Sequence, residues 1–220
     1  MKYCYRILDF VCSIWCSSFI CQAQPFIKEI NAFKQADSLN MPPQNAILFA
    51  GSSTFRLWHN IKDDFKDFTI INRGFGGSAL PDVIRYTEEI LFPYQPKQVV
   101  IYCGENDFAI DKFLPVDSVV NRFSTLFGMI RKRLPNTHIS FVSMKPSPSR
   151  WHLKEKMLQA NKSISEFLGS KHNTSYIDIW SAMLNESGLP RPEIFLKDSL
   201  HMNGMGYIIW KHKILPKLLN

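Results

Sequence analysis

Ala46-Ile47-Leu48-Phe49-Ala50-Gly51-Ser52-Ser53 is an apolar run that ends in a glycine and two serines. Its apolar residues follow one another without alternation, the pattern of a strand covered on both faces. Similar runs recur at Thr69–Asn72, Gln98–Cys103, His138–Ser143 and Ser175–Ile179, so the strand candidates, counting Ala46–Ala50, number five. Between them, Pro81–Leu91, Val116–Leu134 and Leu153–Leu168 carry apolar residues at helical spacing, and Phe26–Leu39 and Gly204–Leu219 predict two further helices. Short buried strands alternating with helices predict an α/β domain: a three-layer sandwich around a five-stranded parallel sheet.

The 220 residues, 45% hydrophobic and 20% charged, have ordinary globular composition and suffice for one substantial core. No repeat, low-complexity tract or linker divides them. The formal net charge of +7 raises the question of an anionic partner. Lys and Arg are scattered, however, and no basic run is interleaved with aromatic residues, so nucleic acid is not an expected partner.

The first residues read differently. Lys2 and Arg6 precede an apolar stretch from Ile7 to Cys21, followed by Cys21-Gln22-Ala23, which reads as a secretory signal peptide cleaved after Ala23. Asp9 interrupts the stretch, and an uncleaved anchor or a cytosolic extension are the alternatives. The expected organisation is thus residues 1–23 as leader and 24–220 as one exported domain, with no stable membrane span after processing. Cys4, Cys12, Cys16 and Cys21 lie in the leader, leaving Cys103 alone in the mature chain, where it reads as a small core residue.

In an open parallel sheet, ligands bind beyond the carboxyl ends of the strands. Those positions are rich in candidate chemistry here. The first strand runs into Gly51-Ser52-Ser53, the second into Asn72-Arg73-Gly74-Phe75-Gly76-Gly77, and the third into Gly104-Glu105-Asn106-Asp107. Asp198-Ser199-Leu200-His201 precedes the last helix, and its spacing of three lets a carboxylate hold one imidazole nitrogen while the other faces a serine. A nucleophile, a base, an orienting group and oxyanion donors are the parts that acyl transfer needs. Taken singly, each is equally a helix cap or a turn residue. Glu105 and Asp107 read as solvated or loop-bonding carboxylates. His59, His138, His152, His172 and His212 show no ligand spacing, so no metal is assigned.

Four of these segments together resemble the SGNH/GDSL hydrolase family (GDSL-like lipase/acylhydrolase). Phe49–Thr54 is similar to its first sequence block, Asn72–Ser78 to the second, Gly104–Asp107 to the third and Asp198–His201 to the fifth, in family order. The resemblance implies a flavodoxin-like sandwich and a catalytic triad of Ser53, Asp198 and His201. It also implies an oxyanion hole formed by the backbone N–H groups of Ser53 and Gly77 and the side chain of Asn106, with no cofactor. The first block departs from the family, which has Gly-Asp-Ser where this chain has Gly51-Ser52-Ser53. The Gly-x-Ser spacing places the nucleophile at Ser53 and leaves Ser52 in the variable slot. Lys145-Pro146-Ser147-Pro148 follows the fourth strand and reads either as a pocket lining or as a rigid connection.

The resulting expectation is a serine ester hydrolase that removes a small acyl group, acetyl in particular, from a carbohydrate or other small ester. The short chain has no insertion long enough to form a lipid-binding lid. A lysophospholipase or thioesterase acting on longer chains, or a non-catalytic module that binds acylated glycans, are the competing readings. Oligomeric state is not legible.

Overall fold

The computed structural model describes residues 24–220, so the expected leader lies outside the described residues. Five strands, β1 (Ile47–Gly51), β2 (Ile70–Gly74), β3 (Gln98–Tyr102), β4 (His138–Val142) and β5 (Thr174–Ile177), form one parallel sheet in the order β2-β1-β3-β4-β5. This is the flavodoxin-like order, in which the direction of winding reverses between β1 and β3.

The helices are α1 (Ile27–Leu39), α2 (Ser53–Arg56), α3 (Ile61–Asp64), α4 (Leu80–Arg85), α5 (Thr87–Ile90), α6 (Glu105–Ile110), α7 (Val116–Arg133), α8 (Lys154–Gly169) and α9 (Gly204–Ile214). Successive strand residues point to opposite faces. Leu48, Ala50, Val99, Ile101, Ile139 and Phe141 therefore join one core with residues of α1, α4, α7 and α8, while Ile47, Phe49, Val100, Tyr102 and Val142 join a second core with α2, α3 and α9. This two-sided burial is the physical reason the strands are apolar throughout. Among the described residues no helix is long and apolar enough to cross a membrane.

Three boundaries differ from the sequence reading. The helix expected over Pro81–Leu91 is two, because Tyr86 leaves helical geometry (φ −104°, ψ 16°) while its hydroxyl donates to Pro25 O at 2.6 Å. The last helix stops at Ile214, two residues before Pro216, and continues only as a 3₁₀ turn, Leu215–Lys217. Gly104-Glu105-Asn106-Asp107, read as the turn after the third strand, opens α6, with Gly104 at its N-cap.

Candidate active site

The end of β1 is built around a close approach. Gly51 has φ +140°, and a Cβ there would lie 1.9 Å from the carbonyl oxygen of Tyr102, so only glycine fits. The next residue, Ser52, is extended and donates its N–H to that same carbonyl at 3.1 Å, after which Ser53 opens α2. A helix of four residues cannot hold itself. It is clamped instead: Asn72 Nδ2 donates to Phe55 O at 2.7 Å, Tyr207 OH donates to Thr54 O at 2.9 Å, and the Phe55 ring packs edge-on against Phe49, Tyr102 and Trp210.

This geometry separates the two serines. The Ser52 hydroxyl is buried without a hydrogen-bond partner, whereas Ser53 Oγ is partly exposed and lies 2.9 Å from His201 Nε2. The register expected from the Gly-x-Ser spacing is the one the fold brings to the histidine.

His201 is held by a tight loop. Ser199 adopts φ +56°, which folds the chain back so that the N–H groups of Leu200 and His201 both donate to Asp198 Oδ1, at 3.0 and 2.9 Å. The other carboxylate oxygen lies 2.6 Å from His201 Nδ1. Partial burial pushes the Asp198 carboxyl upward, but the hydrogen bonds from the His201 ring and the two backbone N–H groups outweigh it and bring the pKa down to about 2. Asp198 is therefore ionised at neutral pH, the proton sits on Nδ1, and Nε2 is left to accept from Ser53. The last helix is capped by Asn203, whose Oδ1 accepts from Met205 and Gly206, so Asp198 does not serve as its cap.

Of the expected oxyanion donors, Gly77 and Asn106 are neighbours. The backbone N–H groups of Ser53 and Gly77 have no protein acceptor among the described residues. Asn106 Nδ2 spends one hydrogen on Ser78 O at 2.9 Å, and lies 3.9 Å from where a Gly77 Cβ would stand. Ser78 in turn donates its hydroxyl to Gly51 O at 3.2 Å, tying the turn after β2 to the end of β1. Ser53 follows β1 and Asn106 follows β3, so these groups flank the reversal of winding, where open α/β sheets bind ligands.

Glu105 and Asp107 are not solvated, and burial corrects that part of the reading. Asp107 Oδ2 accepts the N–H of Leu80 at 2.9 Å and Oδ1 pairs with Arg122 at 2.7 Å. Burial raises its pKa above the ordinary carboxylate value, with the Leu80 N–H and Arg122 opposing. Glu105 is 2.8 Å from Lys145 Nζ, itself fully buried, and accepts from Tyr102 OH at 2.6 Å. Burial again works against the carboxylate, but Lys145, Arg150 and the Tyr102 hydrogen bond prevail and hold Glu105 below its ordinary value. Lys145 also donates to Tyr102 OH at 3.2 Å and reaches Thr54 Oγ1 at 3.4 Å. Lys145 thus points inward. This network underlies both α2 and the Asn106 position, and the one signal for it in the sequence is a lysine shortly after a buried strand. Cys103 is buried as expected, its Sγ 3.4 Å from Ser78 O.

Among the described residues no group of three or more His, Cys, Asp or Glu side chains is placed to hold a metal.

Residues 48–209 match the GDSL-like Lipase/Acylhydrolase family, a span that includes all four sequence blocks and the whole sheet except the first residue of β1. A search of curated proteins found no match. Among solved structures, a GDSL-like lipase from Bacteroides thetaiotaomicron is similar with a TM-score of 0.73 at 19% identity, over 86% of this chain and 96% of that one. A lipase/acylhydrolase from Enterococcus faecalis gives 0.64 at 21% identity, over 78% and 93%. A variant of an acetyl-xylooligosaccharide esterase from Geobacillus Stearmophilus gives 0.62 at 14%, over 80% and 95%. At these identities the neighbours speak to the fold, and the family match covers most of the chain. The chain belongs to the GDSL-like lipase/acylhydrolase family and is an ester hydrolase.

Proposed function

We propose that this protein is a serine esterase that removes a small acyl group, acetyl in particular, from a carbohydrate or other small ester through an acyl-enzyme on Ser53. The hydrogen-bonded series Ser53–His201–Asp198, at 2.9 and 2.6 Å, is the observation that carries the reading. In the first half-reaction His201 Nε2 takes the Ser53 proton as Oγ attacks the ester carbonyl, and the resulting imidazolium is stabilised by the ionised Asp198. The negative charge that develops on the carbonyl oxygen is met by the N–H groups of Ser53 and Gly77 and the free Nδ2 hydrogen of Asn106. His201 then protonates the leaving alcohol. Water, activated by the same histidine, releases the acid and restores Ser53.

The preference for a short acyl group rests on the absence of any lid-length insertion between the sequence blocks. The acetyl-xylooligosaccharide esterase among the structural neighbours is consistent with an acetylated sugar as substrate. Hydrolysis of a graded panel, from acetylated sugars to long-chain acyl esters, tests the substrate class, and rates that rise with chain length refute it.

The roles are tested by variants assayed on a simple acetyl ester. Ser53→Ala and His201→Ala should each remove nearly all activity and combine without further loss, because each disables the same step. Asp198→Ala should leave more. Asn106→Ala should lower kcat by about 100-fold to 1000-fold with KM little changed, the usual loss for one oxyanion donor. Substantial labelling of Ser53→Ala by a fluorophosphonate probe excludes Ser53 as the nucleophile.

A further inference from the structure

The matched family segment begins at residue 48, yet the loop that carries Gly77 is held from outside it, by α1. Glu29 Oε1 accepts the backbone N–H of Gly76 at 3.1 Å and lies 3.7 Å from Arg56 Nε, one helical turn beyond Ser53. Gly76 has φ +35°, and a Cβ there would lie 2.3 Å from Phe26 Cε1 and 3.1 Å from Glu29 Oε2, so the start of α1 presses directly on this residue. The Phe26 ring also meets Phe75 edge-on, with centroids 5.4 Å apart.

The helix itself is anchored at both ends. Tyr86 OH donates to Pro25 O at 2.6 Å near its start. Near its other end Asp37 pairs with Arg73 at 2.5 Å and accepts from Tyr94 OH, while the Arg73 guanidinium lies over the Phe33 ring. Glu29 is therefore carried on a fixed support.

We infer that Glu29 is a positioning residue for the oxyanion hole: by holding the Gly76 N–H it fixes the peptide plane immediately before the one that carries the Gly77 N–H. This rests on the proposed role of Gly77 as donor. The physical reasoning is short. The Gly76 N–H is fixed by the carboxylate and its side of the backbone by Phe26, so rotation at a glycine, otherwise the least restrained of residues, is confined to one setting. A donor aimed in advance of the reaction stabilises the transition state without reorganisation, and a donor free to rotate does not. A carboxylate near a developing oxyanion is by itself unfavourable, and Arg56 offsets that charge.

The test uses the full chain and a simple acetyl ester. Glu29→Ala should lower kcat by roughly tenfold, less than loss of a donor itself, with KM changed less than twofold and the circular dichroism spectrum retained. Glu29→Gln keeps an acceptor oxygen at the same reach and should restore most of kcat. Glu29→Asp keeps the charge but withdraws the acceptor by one methylene, and should resemble Glu29→Ala; it also serves as the test if the alanine variant does not fold. A purely structural role lowers the melting temperature without moving kcat well below it, and that result overturns the inference. So does a Glu29→Gln variant as slow as Glu29→Ala, since charge rather than aim is then the important property. Wild-type protein inactive on every ester refutes the proposed esterase function instead, which keeps the two failures apart.

Discussion

Lys145→Met replaces a fully buried ammonium by an apolar chain of similar length, and the structure fixes what is left behind. Glu105 loses its 2.8 Å partner and keeps only the 2.6 Å hydrogen bond from Tyr102 and the more distant charge of Arg150. Removing one member of a buried pair costs about 3–5 kcal/mol, because the other charge stays in a poor solvent without compensation. For a domain of this size each kcal/mol moves Tm by about 2–4 °C. The expected fall at neutral pH is therefore about 6–20 °C, read by thermal denaturation under circular dichroism. The pH dependence follows from the direction of the Glu105 shift. In the native protein its folded pKa lies below the unfolded value, so the pair contributes stability above about pH 4.3, and that contribution is lost as pH falls through the lower, folded pKa. In the variant burial is opposed less and the folded pKa moves above the unfolded one, so the damage exists only where Glu105 is ionised. The gap between the two proteins should narrow as pH falls from neutrality, first through the variant's raised Glu105 pKa and then through the lowered native one. Adding Glu105→Gln to Lys145→Met should recover part of the loss, since both charges are then gone. A Tm at neutral pH within about 2 °C of the parent, or a gap that widens on acidification, refutes the reasoning.

Two further outcomes are expected. Ser52→Ala removes a buried hydroxyl that has no hydrogen-bond partner, so stability should be unchanged or slightly higher, and substantial esterase activity should remain, as turnover and Tm will show; a dead Ser52→Ala beside an active Ser53→Ala places the nucleophile in the wrong register. Protein recovered from the medium or periplasm of the native host should begin at Gln24 by intact mass, and recovery of the chain with Met1 in the cytosol rules out export.

The sheet was legible because its strands are buried on both faces: a parallel strand under two helical layers has no polar face, and the resulting apolar runs end within one or two residues of the observed strands. At β5 the reading ran on to Ile179, where the ladder ends at Ile177, because Ile179 is buried beyond the pairing edge. The Asp198–His201 contact was legible for a different reason. Asp198 and His201 are three residues apart and satisfy each other locally, so their geometry is largely a property of one loop. The Lys145–Glu105 pair was not legible, since it joins residues 40 apart through a burial that no local pattern announces. The same blindness explains α6: Glu105 and Asp107 look like loop residues until the distant cations that neutralise them are in view. Glu29 was invisible because its partner is a backbone N–H and leaves no trace in side-chain composition.

These polar groups divide by exposure, and the division matches what each must do. Asp198 has about half of its side chain exposed and stays ionised through three hydrogen bonds rather than through burial, so the His201 loop can accept a proton from Ser53 without trapping a bare charge in the core. Lys145 and Glu105 are closed to solvent, where the pair is rigid and the loss of either charge is costly. Such a pair is unsuited to proton transfer and well suited to holding backbone in place. It sits where the proposed mechanism needs it: Glu105 immediately precedes Asn106, the proposed oxyanion donor, and Thr54, within 3.4 Å of Lys145 Nζ, immediately follows Ser53. On the other side of the proposed oxyanion hole Glu29 and Phe26 hold Gly76. In the proposed mechanism the mobile proton is thus confined to the Ser53–His201 contact, and the surrounding groups hold their own protons and backbones in place.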